Sequence, residues 1–342
     1  MAAGFKTATV RAVDVPATQT DFPAYVDLAR LGITTLAEAE SVRVYADSGK
    51  TTEWAREIVS VTEMHVKVPS LTSTVEIFVD WDGVRADYAV GATYGRNAVW
   101  ADYFGVYHLE EGSGTVLTDS TGNTNGTLTG TTNWSTSSPK LGSNFLDFNL
   151  SSQYATLGVL GTYPDITITA WIKFGADTGV KRHWGLLEGG RRLFLTSWFS
   201  SGIAIRGAEI RSGSNTLPTI TGTPDTNWHY ITQISERGVT HRLYDNGVPA
   251  GSVVAVPDID QTFPTIPFPI GVQTNNGSPN LLTDASINRF RLKKAVDSED
   301  WTTTEYNNQN AESTFWGTWT DAGGGGGGGA AQAARRGAVM MG

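Results

Sequence analysis

The acidic side chains of this 342-residue chain are the first candidates for catalysis. Glycoside hydrolysis needs two carboxyl groups flanking the scissile bond. On a strand, such a pair comes from alternating acidic positions, as in E-x-D-x-E, and no such run is present. The densest acidic groups are residues 80–82 (DWD), 110–111 (EE) and 297–300 (DSED), which we place at a domain end, a strand end and a helix start. The sequence therefore predicts no catalytic residue.

The histidines are the next candidates for acid–base or metal chemistry. They are His65, His108, His183, His229 and His241. None forms an H-x-H or H-x-x-x-H pair, so their spacing predicts no zinc site. Because His65 lies on the polar side of an alternating strand, we expect it to be solvated. The chain has no cysteine, which excludes disulfides and thiolate ligands, and it has no G-x-S-x-G nucleophile motif.

Composition narrows the class of protein further. The net charge is −9 with only 25 Lys and Arg, which argues against nucleic acid as a partner. The N-terminus has no apolar run of signal-peptide length, and no segment approaches the roughly 20 apolar residues of a membrane helix. We therefore expect a chain that is neither exported through a signal peptide nor inserted in a membrane.

Period-two patterns dominate and predict an all-β chain. We expect a small β-sandwich at residues 1–85, a linker at 86–98, a larger β-sandwich at 99–320 and a flexible Gly-rich tail at 321–342. Asn246-Gly247 predicts a tight hairpin. Ser298 is the expected cap of a helix over residues 299–307, with Trp301 anchoring it to the larger sandwich.

Five segments of the larger domain, in the right order, resemble laminin-G-like jelly-roll modules of the concanavalin A-like lectin/glucanase superfamily. They are 106–128 (VYHLEEGSG, LTDSTGN and GTL), 146–155 (LDF and YA), 166–173 (ITITAWIK), 227–230 (NWHY) and 243–247 (LYDNG). Residues 1–95 look like the uncharacterised β-domain that often precedes such a module. The resemblance implies a jelly roll that presents a surface.

Such tandems occur in structural proteins of tailed bacteriophages and in bacterial surface proteins. Since a virion protein needs no signal peptide, the favoured interpretation is a non-catalytic structural protein on the exterior of a phage particle, either a capsid decoration or a tail or fibre component. Its partners would be other virion proteins, further copies of itself and host-surface polysaccharide. The alternatives are a secreted, extracellular carbohydrate-binding adhesin and an unconventional glycoside hydrolase.

The resemblance also implies candidate binding residues. Jelly rolls often carry structural calcium, and Asp119, Asn123 and Asp284 could supply its oxygen ligands. The alternative is a turn in which Asp119 and Asn123 bond their own backbone. The glycan-binding candidates are Trp184, Trp198, Asn275 and Asn276; alternatively, the tryptophans fill the sandwich or an oligomer interface. The tail could tether the chain to a partner through Arg335, Arg336, Met340 and Met341, or it could be disordered.

Overall fold

Alternation of apolar and polar residues produces β-strands along most of the chain, because successive side chains of a strand point to opposite faces. The computed structural model describes residues 3–131, 134–149, 152–175, 179–199, 203–210, 215–216, 218–221 and 225–323. Over these residues the protein is all-β and sandwich-like, as the sequence predicts. None of the helices among them is long and apolar enough to cross a membrane.

The N-terminal region folds into two facing antiparallel sheets. Its elements are β1 (Gly4–Thr9), β2 (Gln19–Asp27), α1 (Leu36–Glu40), β3 (Arg43–Tyr45), β4 (Glu53–Trp54), β5 (Arg56–Ile58), β6 (Glu63–Leu71) and β7 (Glu76–Trp81). One sheet has the order β1-β7-β3-β4, and the other has the order β2-β6-β5. Thr35 and Glu38 form a capping box that starts α1. The two sheets share one apolar core.

The second region is a larger sandwich. Its elements are α2 (Arg96–Val99), β8 (Gly105–Tyr107), β9 (Val116–Leu117), β10 (Gly126–Thr129), β11 (Trp134–Ser135), β12 (Phe145–Asn149), β13 (Tyr154–Tyr163), β14 (Ile166–Phe174), β15 (Gly179–Glu188), β16 (Arg191–Phe199), β17 (Ile203–Ile210), β18 (Asn215–Thr216), β19 (Thr219–Thr221), β20 (Trp228–Ser235), β21 (Thr240–Asp245), β22 (Val248–Ala255), β23 (Gln261–Ile270), β24 (Val272–Asn275), β25 (Ser278–Leu282) and β26 (Asp284–Lys293).

These strands form two sheets that enclose the largest apolar core. The first sheet has the path β18-β17-β16-β15-β23-β13-β10-β9, and the second has the path β11-β12-β26-β14-β20-β21-β22, with β8 on β26. Non-consecutive neighbours such as β12, β26 and β14 imply Greek-key crossovers rather than a meander. The predicted hairpin is confirmed, because Asn246 and Gly247 join β21 to β22 with φ angles of 54° and 76°.

The C-terminal elements return to the first region. They are α3 (Glu299–Asn310), α4 (Glu312–Phe315) and β27 (Thr320–Asp321). Ser298 caps α3 by accepting a hydrogen bond from the Trp301 backbone N–H. The prediction that Trp301 anchors the helix to the larger sandwich is wrong. Trp301 packs edge-on against Phe22 in the N-terminal core, with 5.0 Å between the ring centroids. β27 also pairs with β1, so it extends one sheet of the first sandwich.

Candidate functional site

A buried polar cluster lies where the two sandwiches meet. We expected His65 to face solvent, but its side chain is fully buried. The polar face of β6 packs against the start of the second sandwich, so both faces of this strand segment are covered. The ring of His65 lies 4.9 Å from that of His108 and 5.2 Å from that of Trp100, measured between centroids. The alternation of apolar and polar residues is present in β6, but the expected solvent exposure of His65 is wrong, because both faces of the strand are covered.

Glu57 connects the two sandwiches on one side of this cluster. Its Oε2 accepts hydrogen bonds from the Trp100 indole at 2.5 Å and the His108 Nε2 at 2.9 Å. Its Oε1 accepts one from the Ser120 hydroxyl at 2.6 Å. Since Glu57 follows Arg56 on β5 while His108 and Ser120 belong to the second sandwich, this carboxylate fixes one region against the other.

Arg289 makes the second connection. It lies at a bulge in β26 and has a φ of 55°, and bulges re-aim side chains out of the regular alternation. Its Nε donates to Glu63 Oε1 at 2.9 Å, and its Nη2 contacts Glu63 Oε2 and also Glu110 Oε1, the latter at 2.8 Å. The guanidinium is fully buried, so these charges are paired away from water.

The electrostatics of the cluster favour the charged forms of Glu57 and Glu63 and the neutral form of His65. Burial opposes ionisation of Glu63, but Arg289 and His65 outweigh it and hold the pKa of Glu63 far below its usual range. Burial likewise opposes ionisation of Glu57, and His108 reverses the direction, so its pKa is also lowered. Burial raises the pKa of Glu110 in spite of Arg289. Burial lowers the pKa of His65 to about 4.

A cleft of about 260 Å³ opens beside this cluster, and we call it the junction cleft. Residues of β5, of the 86–98 segment and of the start of the second sandwich line it, among them Arg56, Asp87, Arg96, His108, Glu110 and Glu111. Arg56 is already paired with Asp87. Glu111 uses one oxygen to accept from the Thr118 backbone at 2.7 Å.

Besides Nδ1 of His108, two buried polar atoms of residues lining the junction cleft have no hydrogen-bond partner within the described part of the chain. They are Nε of Arg96, a donor, and Oε2 of Glu111, an acceptor. Buried polar atoms cost free energy when they remain unpaired. A ligand in the cleft that both accepts and donates hydrogen bonds would satisfy the pair. Sequence reasoning missed this site because no motif marks two side chains that meet only in the fold.

The predicted calcium ligands do not come together. Asp119 is buried and accepts from the backbone N–H groups of Val106, Thr121 and Thr124, each at 3.0 Å. The bonds from Thr121 and Thr124 match the alternative turn interpretation for Asp119. Asn123 donates to the Phe104 carbonyl at 3.2 Å. Asp284 is the first residue of β26. Asp119 lies beside β8, which pairs with the other end of β26, so the two aspartates are separated by roughly 20 Å along that strand. The three residues thus do not form one site.

The glycan-binding candidates also separate. Trp184 was wrongly expected at the surface. It is fully buried, donates to Gln233 Oε1 at 2.9 Å and packs edge-on against Phe290, because its strand faces the core. Asn275 and Asn276 are exposed at the β24–β25 turn, where Asn276 accepts from the Gly189 backbone at 3.3 Å.

The remaining candidates are only partly described. The backbone of Trp198 pairs with Val180 and Ala204, and its side chain lies outside the description. Arg335, Arg336, Met340 and Met341 lie outside the described residues, so the predicted tether remains a prediction.

Comparisons with known proteins add little to this picture. No protein-family model matches the sequence, and a search of curated proteins finds no match. Among solved structures, the receptor-binding domain of the botulinum neurotoxin C/D mosaic serotype is similar, with a TM-score of 0.48 and 14% identity over 61% of this chain and 52% of that one.

Two further similar structures are binding domains. That of botulinum neurotoxin serotype G has a TM-score of 0.49 and 13% identity, covering 63% of this chain and 53% of that one. That of Paraclostridial Mosquitocidal Protein 1 has a TM-score of 0.48 and 14% identity, covering 60% and 52%. The chain spans about half the length of these domains. Similarity at this level does not confirm the concanavalin A-like resemblance and assigns no ligand, so function is argued from the site.

Proposed function

We propose that this chain is a non-catalytic, surface-displayed binding protein that holds a neutral carbohydrate in the junction cleft. The observation that carries the proposal is that Arg96 and Glu111, two residues lining one cleft, each keep a buried polar atom, Nε and Oε2, without a hydrogen-bond partner in the described structure. The guanidinium must donate and the carboxylate must accept. Neighbouring sugar hydroxyls can accept from the first and donate to the second.

The charge of the cleft favours a neutral ligand. The charges of Arg56 and Asp87 compensate each other. Glu57 and Glu110 are held by donors of the buried cluster. Arg96 and Glu111 then remain with opposite charges, so this pair by itself prefers neither an anion nor a cation. The cleft volume of about 260 Å³ is below the roughly 300–1,000 Å³ of sites for drug-sized ligands. A cleft of this volume suits one or two sugar units.

A setting on the exterior of a phage particle belongs to the same proposal, with other virion proteins, further copies of the chain and host-surface polysaccharide as partners. Its support is the sequence resemblance to tandems found in tailed-phage structural proteins. A secreted adhesin is the alternative setting. Mass spectrometry and labelled electron micrographs of purified particles test it, since an adhesin would be absent from the particles.

Glycoside hydrolysis is the second candidate function, favoured by one observation. Glu57 and Glu110 line the same cleft, and their environments shift their pKa values in opposite directions, a pattern found in acid–base pairs. Against it, Glu57 accepts hydrogen bonds from three side chains, while Glu110 accepts from Arg289 and from two backbone N–H groups. Neither carboxyl is free to act on a substrate.

The deciding experiment is a glycan-array screen followed by calorimetric titration of the hits. Arg96→Ala and Glu111→Gln should each weaken binding at least tenfold, since each leaves one sugar hydroxyl unpaired. Asn276→Ala, at the exposed β24–β25 turn, is the matched control and should bind like the wild type. Loss of binding only in Asn276→Ala would show that the sugar binds at the β24–β25 turn and not in the junction cleft. Release of reducing sugar from a bound oligosaccharide would establish hydrolysis instead.

A further inference from the structure

We propose that Glu63, His65 and His108 bind one divalent transition-metal ion, and that zinc is the ion this ligand set fits best. Each residue offers one ligand atom, and the three atoms lie within 4.8 Å of one another. All three residues are buried. Two imidazole nitrogens with one carboxylate oxygen is a combination that zinc accepts, whereas calcium takes oxygen ligands. This inference does not rest on the carbohydrate proposal, although His108 also lines the junction cleft.

The distances match a common ion. Zinc binds nitrogen and oxygen at about 2.0–2.2 Å, so ligand atoms around a tetrahedral ion lie roughly 3.3–3.5 Å apart. Glu63 Oε1 lies 3.0 Å from Nε2 of His65, where the two groups share a hydrogen bond, and 3.6 Å from Nδ1 of His108, on either side of that value.

The surroundings of His108 are those of a metal ligand. Its Nε2 lies 2.9 Å from Glu57 Oε2, which is the carboxylate–histidine arrangement that orients ligands from behind. If that nitrogen carries the proton, Nδ1 carries a lone pair directed towards the Glu63 carboxylate. This Nδ1 is buried and has no hydrogen-bond partner among the described residues. A cation between them would replace the repulsion between the Nδ1 lone pair and the Glu63 carboxylate with two metal–ligand bonds.

The charge count points the same way. Within the described cluster, the buried guanidinium of Arg289 pairs with both Glu63 and Glu110, and the ionisable partner of Glu57 is the ring of His108. The nearby Arg291 is paired with Glu305. With neutral imidazoles, two formal negative charges therefore remain uncompensated in a buried region, where unpaired charge is costly. A divalent cation supplies the missing charge. His108 also lines the junction cleft, which gives the ion a route from solvent.

A metal-free arrangement makes a different prediction. In it, His108 is an imidazolium that bridges Glu57 and Glu63 through its two ring nitrogens. That arrangement balances part of the charge without an ion. It would show no metal uptake, so the two arrangements are distinguishable by measurement.

The test uses the full chain, stripped with a chelator and dialysed. We expect uptake of one equivalent of Zn²⁺ by elemental mass spectrometry and a higher unfolding midpoint with Zn²⁺. Co²⁺ should give the intense visible bands of a tetrahedral site. His65→Ala and His108→Ala should lose these bands, and Glu57→Gln should weaken Zn²⁺ affinity roughly 10- to 100-fold.

His229→Ala is the matched control, because this ring also contacts two carboxylates, Asp225 and Asp245, but lies outside the cluster. It should retain the full Co²⁺ spectrum. If the cluster variants fail to fold, the wild-type titration decides alone. Absence of stoichiometric uptake and of Co²⁺ bands in the wild type overturns the site, as does retention of both in His65→Ala and His108→Ala.

Discussion

The rings of His65 and His108 lie 4.9 Å apart, although His65 belongs to β6 of the first sandwich and His108 follows β8 of the second. Glu57 and Glu63, from the same sheet as His65, contact His108 and Arg289 of the second sandwich. The junction between the two regions therefore contains a network of buried charges, beside the apolar contacts that Ala55 and Tyr25 make with the second region. Its stability depends on each charge keeping its partner.

Arg289→Met should destabilise the protein by about 3–5 kcal/mol, because it leaves Glu63 and Glu110 buried without their counter-charge. Urea unfolding monitored by tryptophan fluorescence measures the loss. The matched control is Arg237→Met, whose guanidinium pairs with Asp258 and Asp260 at the surface and whose removal should leave the midpoint unchanged. A loss at Arg289 no larger than at Arg237 would show that this pairing does not hold the junction.

Glu312→Gln should change how stability depends on pH. Burial raises the pKa of Glu312 from 4.5 to about 7, although Arg30 opposes the shift. An acid with a higher pKa in the folded state binds more protons when folded, so its contribution to stability falls as pH rises from about 4.5 through 7. Between pH 4.5 and 8 the variant should gain roughly 3 kcal/mol relative to the wild type.

Paired urea titrations at several pH values measure this difference. Glu76→Gln, at an exposed position on β7, controls for the substitution itself. A difference between Glu312→Gln and the wild type that stays constant across the range would contradict the raised pKa.

Trp301→Ala should destabilise the first sandwich by about 3–5 kcal/mol, since it removes a large side chain packed on Phe22. Limited proteolysis followed by mass spectrometry should place the earliest cuts before residue 86. Leu36→Ala is the control, because Leu36 is 52% exposed and its loss should change stability by less than about 0.5 kcal/mol. First cuts within residues 99–298 would show that α3 instead supports the second sandwich, as we first expected.

Gly247→Ala should cost about 1–2 kcal/mol or more, because its φ of 76° strains any other residue and an added Cβ would lie 2.9 Å from Cβ of Tyr306. Thermal unfolding measures the effect. Gly91→Ala is the matched control, since a Cβ there meets nothing within 4 Å and the backbone is not left-handed. Equal midpoints for the two variants would mean that the β21–β22 turn relaxes without cost.

Calcium should leave the unfolding midpoint unchanged when it is added and then removed with a calcium-selective chelator. The reason is that Asp119 already accepts three backbone hydrogen bonds and Asp284 lies at the opposite end of β26. A midpoint that rises with calcium and returns with the chelator would restore a calcium site. Repeating the scan with Asp119→Asn would then show whether Asp119 is one of its ligands.

The sequence determined the local structure well. Alternation predicts strands such as β7, the Asn246-Gly247 pair predicts its hairpin, and Ser298 predicts the start of α3. Each of these depends on residues within a few positions of one another, where backbone sterics and local hydrogen bonds decide the conformation. The all-β class follows from the same patterns.

Only the tertiary structure decided which polar faces meet solvent. The face of β6 that carries His65 is polar, yet the second sandwich covers it. A bulge in β26 directs the guanidinium of Arg289 towards this face. Trp301 looked like an anchor for the nearer domain and instead enters the farther one. Spacing along the chain cannot encode these contacts, because they join residues whose proximity depends on how whole sheets pack. For the same reason, His65 and His108 meet in the fold although no spacing motif in the sequence pairs them.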